Sequence, residues 1–258
     1  MTSAIADAYF MTVRHLRNLV RQPAWIAISL IQPVVWLLLY GALFKRIVEI
    51  PGFGAGTYID FLTPGIVVMT ALFSAGWSGM SVVEDFDRGI LDRFLVTPVH
   101  RGSLIAGRIL QLSLTAVIQC AIILVLGLII GASYSGGLLG MIVLIGCAVM
   151  LGAAFGALSN AIALLARREE TVIAVVNFVL LPLTFLSGVF MRQSLMPGWM
   201  QHVAQYNPVN WAVQAGREAL TANADWGYVF ARVGYLAAFA FVCGWLATRA
   251  FRSYQRST

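Results

Sequence analysis

The chain has 258 residues, of which 60% are hydrophobic and only 11% charged, and its mean hydropathy is +0.83. Soluble domains carry about 25% charged residues, so an ordinary water-soluble enzyme is excluded and an integral membrane protein is indicated. The net charge of +6 comes from basic residues that flank apolar runs, as membrane loops carry them, and calls for no nucleic-acid partner.

Ile5, Tyr9, Val13, Leu16 and Val20 recur at helical spacing, with Arg14, Arg17 and Arg21 on another face. Over 3–22 this predicts an interfacial amphipathic helix with its cations toward anionic lipid headgroups. The apolar stretch that follows has spanning length and lacks a small-residue cleavage site, so it reads as a retained span rather than a signal peptide.

Hydropathy predicts an all-α polytopic protein, a single transmembrane domain over 1–258, with six membrane spans at 24–44, 58–80, 104–130, 138–165, 171–191 and 228–248. Gln32-Pro33 should kink the first span, because proline lacks the amide that closes a helical turn. Gly152 and Gly156 in the fourth form a small-xxx-small ridge that lets helices approach closely. Asn177 in the fifth needs a hydrogen-bonding partner in lipid, either a neighbouring helix or a transported molecule. The stretch 192–225 is too polar to span. Its Trp199, Tyr206 and Trp211 suit an external helical hairpin at the interface, with Asn207 capping a helix that starts at Pro208. Cys120, Cys147 and Cys243 sit inside apolar runs without metal-ligand or disulfide spacing and read as packing residues.

With both termini in the cytoplasm, twelve of the 17 basic residues fall on the inner side, which favours that orientation. Lys45, Arg46, Arg192, Arg217 and Arg232 are the outer ones. The expected location is a bacterial plasma membrane.

The longest charge-rich interval is Glu84–Arg101, EDFDRGILDRFLVTPVHR. Over 85–97 it predicts a helix with Ile90, Leu91, Phe94 and Leu95 on one face and Arg88, Asp92 and Arg93 on the other, stopped by Thr97-Pro98. Such a face either rests on the bilayer or fills a groove in another protein.

The order of residues here, in Glu84, Arg88, Gly89, Leu91, Asp92, Leu95, Thr97 and Pro98, resembles the coupling helix of type-two ATP-binding-cassette export permeases, which implies that these residues, with Asp87 and Phe94, couple to the ATPase. Tyr206-Asn207-Pro208 is similar to a second signature of that family, whereas Ile90 departs from the threonine often found at its position. The resemblance implies a permease that binds no cofactor itself. ATP and magnesium belong to cytoplasmic ATPase partners, two copies or two related chains. It also implies a second permease copy or a related permease, with a pathway between the copies. Parts of the first, second and fifth spans would line it, with Gln32, Trp36, Asn177, Phe178 and Phe185 as candidate pathway residues. Drug or antibiotic export is the branch most resembled; lipid or polysaccharide export is the alternative.

No G-x-x-x-x-G-K-[ST] phosphate loop is present, and Lys45 is the only lysine. Gly76-Trp77-Ser78-Gly79 matches the surroundings of an intramembrane protease serine, but His15, His100 and His202 all lie outside the predicted spans, leaving no base at membrane depth. An ion-coupled carrier usually holds ionisable groups in mid-span; here Asp60 and Arg232 lie near span ends.

Overall fold

The computed structural model describes residues 23–50, 53, 56–87 and 101–255. The expected interfacial helix over 3–22, and residues 88–97 of the expected coupling helix, lie outside them.

The fold is all-α, with no strand among the described residues. In chain order the helices are α1 (Pro23–Leu43), α2 (Tyr58–Gly76), α3 (Ser78–Asp87), α4 (Arg101–Ile130), α5 (Gly137–Ala166), α6 (Glu169–Phe185), α7 (Gly198–Gln205), α8 (Pro208–Ala219) and α9 (Trp226–Gln255). Among the described residues, four stretches are long and apolar enough to cross a membrane: Tyr58–Glu84, Leu110–Ile130, Gly137–Ala166 and Trp226–Arg249. Ala27–Leu43 is a shorter apolar helix that continues through Pro33. Together they make a polytopic membrane protein.

The second of the expected spans is two helices. α2 ends at Gly76 and α3 begins at Ser78, and the break at Trp77 is held by α5. There Ser159 Oγ donates to the Gly76 carbonyl and accepts the Gly79 N–H at 3.1 Å, while Ser78 Oγ donates to Asn160 Oδ1 at 3.3 Å. A helix break buried in apolar surroundings must satisfy its freed backbone groups in this way. α6 is shorter than its expected span, ending at Phe185 rather than 191. Its final carbonyls find lateral partners, because Asn207 Nδ2 donates to Leu183 O at 2.7 Å and to Leu186 O at 3.0 Å.

α2 and α5 form the centre. In α2 and its continuation, 72% of the apolar window is buried, against 17% in α9, so α2 is a core helix and α9 presents its apolar side outward. The contact of α2 with α5 runs over the glycine ridge: a Cβ on Gly152 would lie 3.1 Å from Ala71 O, and one on Gly156 would lie 3.5 Å from Ala75 Cβ. Glycine at these positions lets two backbones approach where larger residues would hold them apart.

Side-chain and backbone contacts gather the start of α2, the end of α4, the start of α5, the end of α6 and all of α8 at one end of the bundle, called here the hairpin end. Gly136 N–H donates to Leu220 O at 2.8 Å. A Cβ on Gly136 or Gly140 would sit 2.1 or 2.2 Å from Ala219 O, so the first turn of α5 packs backbone to backbone on the end of α8.

Gly140→Ala should therefore destabilise the detergent-solubilised protein by about 1–3 kcal/mol, the range for overpacking. Gly146 lies on the same helix with open space around it, so Gly146→Ala should be neutral or raise stability by up to about 1 kcal/mol. Thermal unfolding of the two variants side by side checks this; equal transitions would refute the close approach.

Candidate functional site

At the hairpin end the geometry centres on Arg217, in the last turn of α8. Its Nε donates to Phe61 O of α2 at 3.0 Å, its Nη1 to Gly188 O, and its Nη2 to Val189 O at 2.9 Å. The guanidinium also lies over the Phe61 ring, 3.5 Å from the centroid, an arrangement that stabilises a desolvated cation. Burial pushes its pKa down to about 9, with Tyr58 opposing and Arg192 adding to the shift; it therefore stays charged at neutral pH. One side chain thus binds α2 and the 186–192 segment to α8.

Two asparagines complete the closure. Asn207 Oδ1 accepts the Val209 N–H at 2.9 Å, capping α8, whose first residue is Pro208, while its amide nitrogen reaches the end of α6. Asn210, fully buried, accepts the Gly188 N–H at 3.0 Å and donates to Ala204 O at 2.8 Å. Asp60 anchors the neighbouring corner: it forms a capping box with Thr57 and accepts the Ser133 N–H at 2.6 Å from the loop between α4 and α5. In that loop Tyr134 donates to Leu124 O at 3.1 Å, and burial pushes its phenol up to about 12.

Beside this closure stands an aromatic wall contributed by α1, α6 and the segment after it. Trp36 stacks on Tyr40 at 4.9 Å, Phe190 lies 5.2 Å from each, and Phe185 lies 5.7 Å from Phe190 and 6.5 Å from Trp36. Tyr58 Oη donates to Phe190 O at 3.0 Å and fixes the wall to α2. Phe185 is half exposed and Trp36, Tyr40 and Phe190 partly so, leaving ring surface open on the outer side of the chain. Flat rings held in offset contact make a surface suited to other flat or apolar molecules.

Of the candidate pathway residues, Trp36 and Phe185 thus share the wall. Gln32 lies exposed on α1, and Phe178, 81% exposed on α6, points away from the bundle. The amide nitrogen of Asn177 donates to Ile173 O, one turn back on its own helix, at 3.0 Å, rather than to a neighbouring helix. Trp199 and Tyr206 are exposed, with His202 edge-on to Tyr206, and Trp211 donates to Gln205 O at 2.6 Å and packs near Tyr235. Glu84 and Asp87 fall in α3 at the opposite end, with Glu84 exposed; Arg88, Gly89, Leu91, Asp92, Phe94, Leu95, Thr97 and Pro98 lie outside the described residues.

Sequence reasoning overlooked Asn210 and treated Arg217 and Asp60 as flanking charges. The Thr57-x-x-Asp60 spacing ahead of an apolar run was the available signal for Asp60. Nothing local marks Arg217. Ser78 is committed to Asn160, and no histidine among the described residues approaches it.

The described residues thus form a polytopic bundle of apolar helices, with polar groups joining the helix ends and an aromatic face open to the side. The chain belongs to the ABC-2 type transporter family, whose profile matches residues 7–221. It is 30% identical over 247 residues to the daunorubicin resistance ABC transporter permease protein DrrB1 of Streptomyces coeruleorubidus, covering 92% of this chain and 86% of that one. It is 24% identical over 213 residues to a probable doxorubicin resistance ABC transporter permease protein, DrrC, of Mycobacterium tuberculosis, covering 83% and 76%. The inner membrane transport permease YadH of Escherichia coli is 26% identical over 201 residues, 75% of each chain.

The three carbonyls around Arg217 diverge, and a point-like ammonium cannot reach them all. Arg217→Lys should cost about 1–3 kcal/mol through unsatisfied carbonyls, whereas Arg192→Lys, at an exposed residue, should leave unfolding nearly unchanged. Denaturation of both variants in the same detergent tests the contrast.

Proposed function

We propose that this permease is the membrane half of an ATP-driven drug exporter, carrying a hydrophobic or amphiphilic molecule with a flat ring system out across the plasma membrane. Separate cytoplasmic ATPases, two copies or two related chains, supply the energy, and a second permease copy or a related permease completes the pathway. The observation that carries the reading is the aromatic wall of Trp36, Tyr40, Phe185 and Phe190, with the exposed Leu181 and Phe178 one and two turns back on the face of α6 that carries Phe185. Two such faces opposed would enclose a channel of ring and aliphatic surface, which suits an apolar cargo better than a polysaccharide. The names of the Streptomyces and Mycobacterium relatives support the drug branch.

Arg101, Arg108, Arg167, Arg168 and Arg249 belong to the end opposite the hairpin. Their bias supports a cytoplasmic placement of that end, with both termini inside and the α7–α8 hairpin outside. The ATPases then dock on 85–97, whose apolar face carries Phe94 and Leu95.

Two experiments separate the parts of this reading. Phe94→Asp with Leu95→Asp should abolish substrate-stimulated ATP hydrolysis and co-purification of the ATPase while membrane insertion persists; unchanged coupled hydrolysis would refute docking at 85–97. Trp36→Ala or Phe185→Ala should lower transport of a planar amphiphile about 3- to 10-fold, the loss of one aromatic contact, with ATPase co-purification retained. Transport equal to that of the unaltered chain would remove the wall from the pathway.

A further inference from the structure

The hairpin end holds an open cavity of about 370 Å³ between α8, the start of α9 and Arg192, lined by Arg192, Gln214, Arg217, Glu218, Asp225 and Tyr228. It is separate from the aromatic wall, and none of these residues belongs to the proposed pathway. Two arginines and two carboxylates border one space, yet among the described residues no ion pair joins them.

Fixed partners hold the charges apart. The guanidinium of Arg217 is turned to three backbone carbonyls, and that of Arg192 lies 5.9 Å from the Phe53 ring. Glu218 Oε1 accepts the Asp225 N–H at 3.0 Å, and Asp225 Oδ1 accepts the Tyr228 N–H at 3.1 Å. Tyr228 Oη donates to Gln214 Oε1 at 2.8 Å, fixing the ring between the acidic side and α8. The second oxygen of each carboxylate carries no protein hydrogen bond among the described residues, and Arg217 has N–H groups beyond the three it spends.

A ligand of one sign would compensate half of this lining and leave the other half facing its like. A ligand with an anionic and a cationic pole compensates both. The depth of the cavity narrows the choice. Asp225 directly precedes Trp226, where the apolar stretch Trp226–Arg249 begins, so the cavity opens at the level where lipid headgroups lie.

We propose that the cavity binds the phosphate-and-ammonium headgroup of a zwitterionic phospholipid. Arg192 and Arg217 hold the phosphate, and Glu218 and Asp225 take the ammonium on the side of the Tyr228 ring away from Arg232, whose guanidinium lies 5.0 Å from that ring. The site fixes a lipid at the hairpin end whatever molecule the permease carries.

The test uses the full chain in nanodiscs, with native mass spectrometry counting the lipids retained on release. Phosphatidylethanolamine should be retained in preference to phosphatidylglycerol, which lacks the cationic pole. Glu218→Gln combined with Asp225→Asn keeps a side-chain oxygen to accept each backbone N–H while removing both charges, and should reduce that preference about tenfold. Arg192→Gln should weaken retention of both lipids. Soluble glycerophosphoethanolamine distinguishes the sources: displacement of the lipid means the headgroup alone is recognised, and no displacement with the preference intact means the membrane-anchored lipid is. Equal retention of the two lipids by the unaltered chain, or a preference that survives the double substitution in a folded protein, would overturn the proposal.

Discussion

Everything at the hairpin end depends on a cation that has no acid to pair with. Arg217 is stabilised by dipoles, three backbone carbonyls and the face of Phe61, rather than by a carboxylate. The choice has a physical logic. The segment after Phe185 leaves its helix near the membrane boundary, and its carbonyls need donors where water is scarce. A guanidinium offers five N–H groups in a rigid plane and satisfies several such carbonyls at once. Asn207 and Asn210 do the same on a smaller scale, each bridging two elements with one amide. The polar residues of this end therefore build the fold, leaving apolar and aromatic groups for the proposed transport surface.

The helices were legible in the sequence because burial in lipid demands long apolar runs, and these dominate composition. The Asn207-Pro208 start of α8 was also legible, since cap and first-turn preferences act over two adjacent residues. Helix ends set by distant partners were not. α6 stops at Phe185 because Asn207, more than twenty residues later, takes its carbonyls, and hydropathy alone carries the span on to 191. Arg217 likewise looks like any flanking charge, because its acceptors lie 156, 29 and 28 residues away. Asn177 is the opposite case. A polar group in an apolar run invites a search for a distant partner, yet an amide four residues from a carbonyl on the same helix satisfies itself.

The same contrast separates the two functional surfaces. The aromatic wall draws on Trp36 and Tyr40, one turn apart, and on Phe185 and Phe190, brought alongside by the turn that Asn207 and Arg217 fix. Trp36 and Phe185 could be picked out singly as candidate pathway residues, but Phe190 joins them in the wall only once the end of α6 is known. A wall of four rings is thus a product of the closure, and its shape is set by side chains that never touch a cargo.

Those two ends of the bundle are connected by one continuous piece. α2 begins at Tyr58 beside Phe190, passes Phe61 under Arg217, and runs through the buried centre to Gly76. The break at Trp77 would be a natural hinge, but Ser159 and Asn160 brace both of its sides against α5, and Gly79 lies so close to Ser159 that a methyl group would collide with its carbonyl. α3 then carries the chain to Glu84 and Asp87, where the charge-rich interval begins. In the proposed exporter, a displacement of that interval by the ATPases would meet no free joint before the hairpin end. It would move α2, α3 and α5 together, and through Tyr58 and Phe61 it would tilt the aromatic wall and the Arg217 closure as one body. On this account the packing of glycine against backbone at Gly79, Gly152 and Gly156 serves transmission as much as stability, because close-packed interiors pass strain on rather than absorb it.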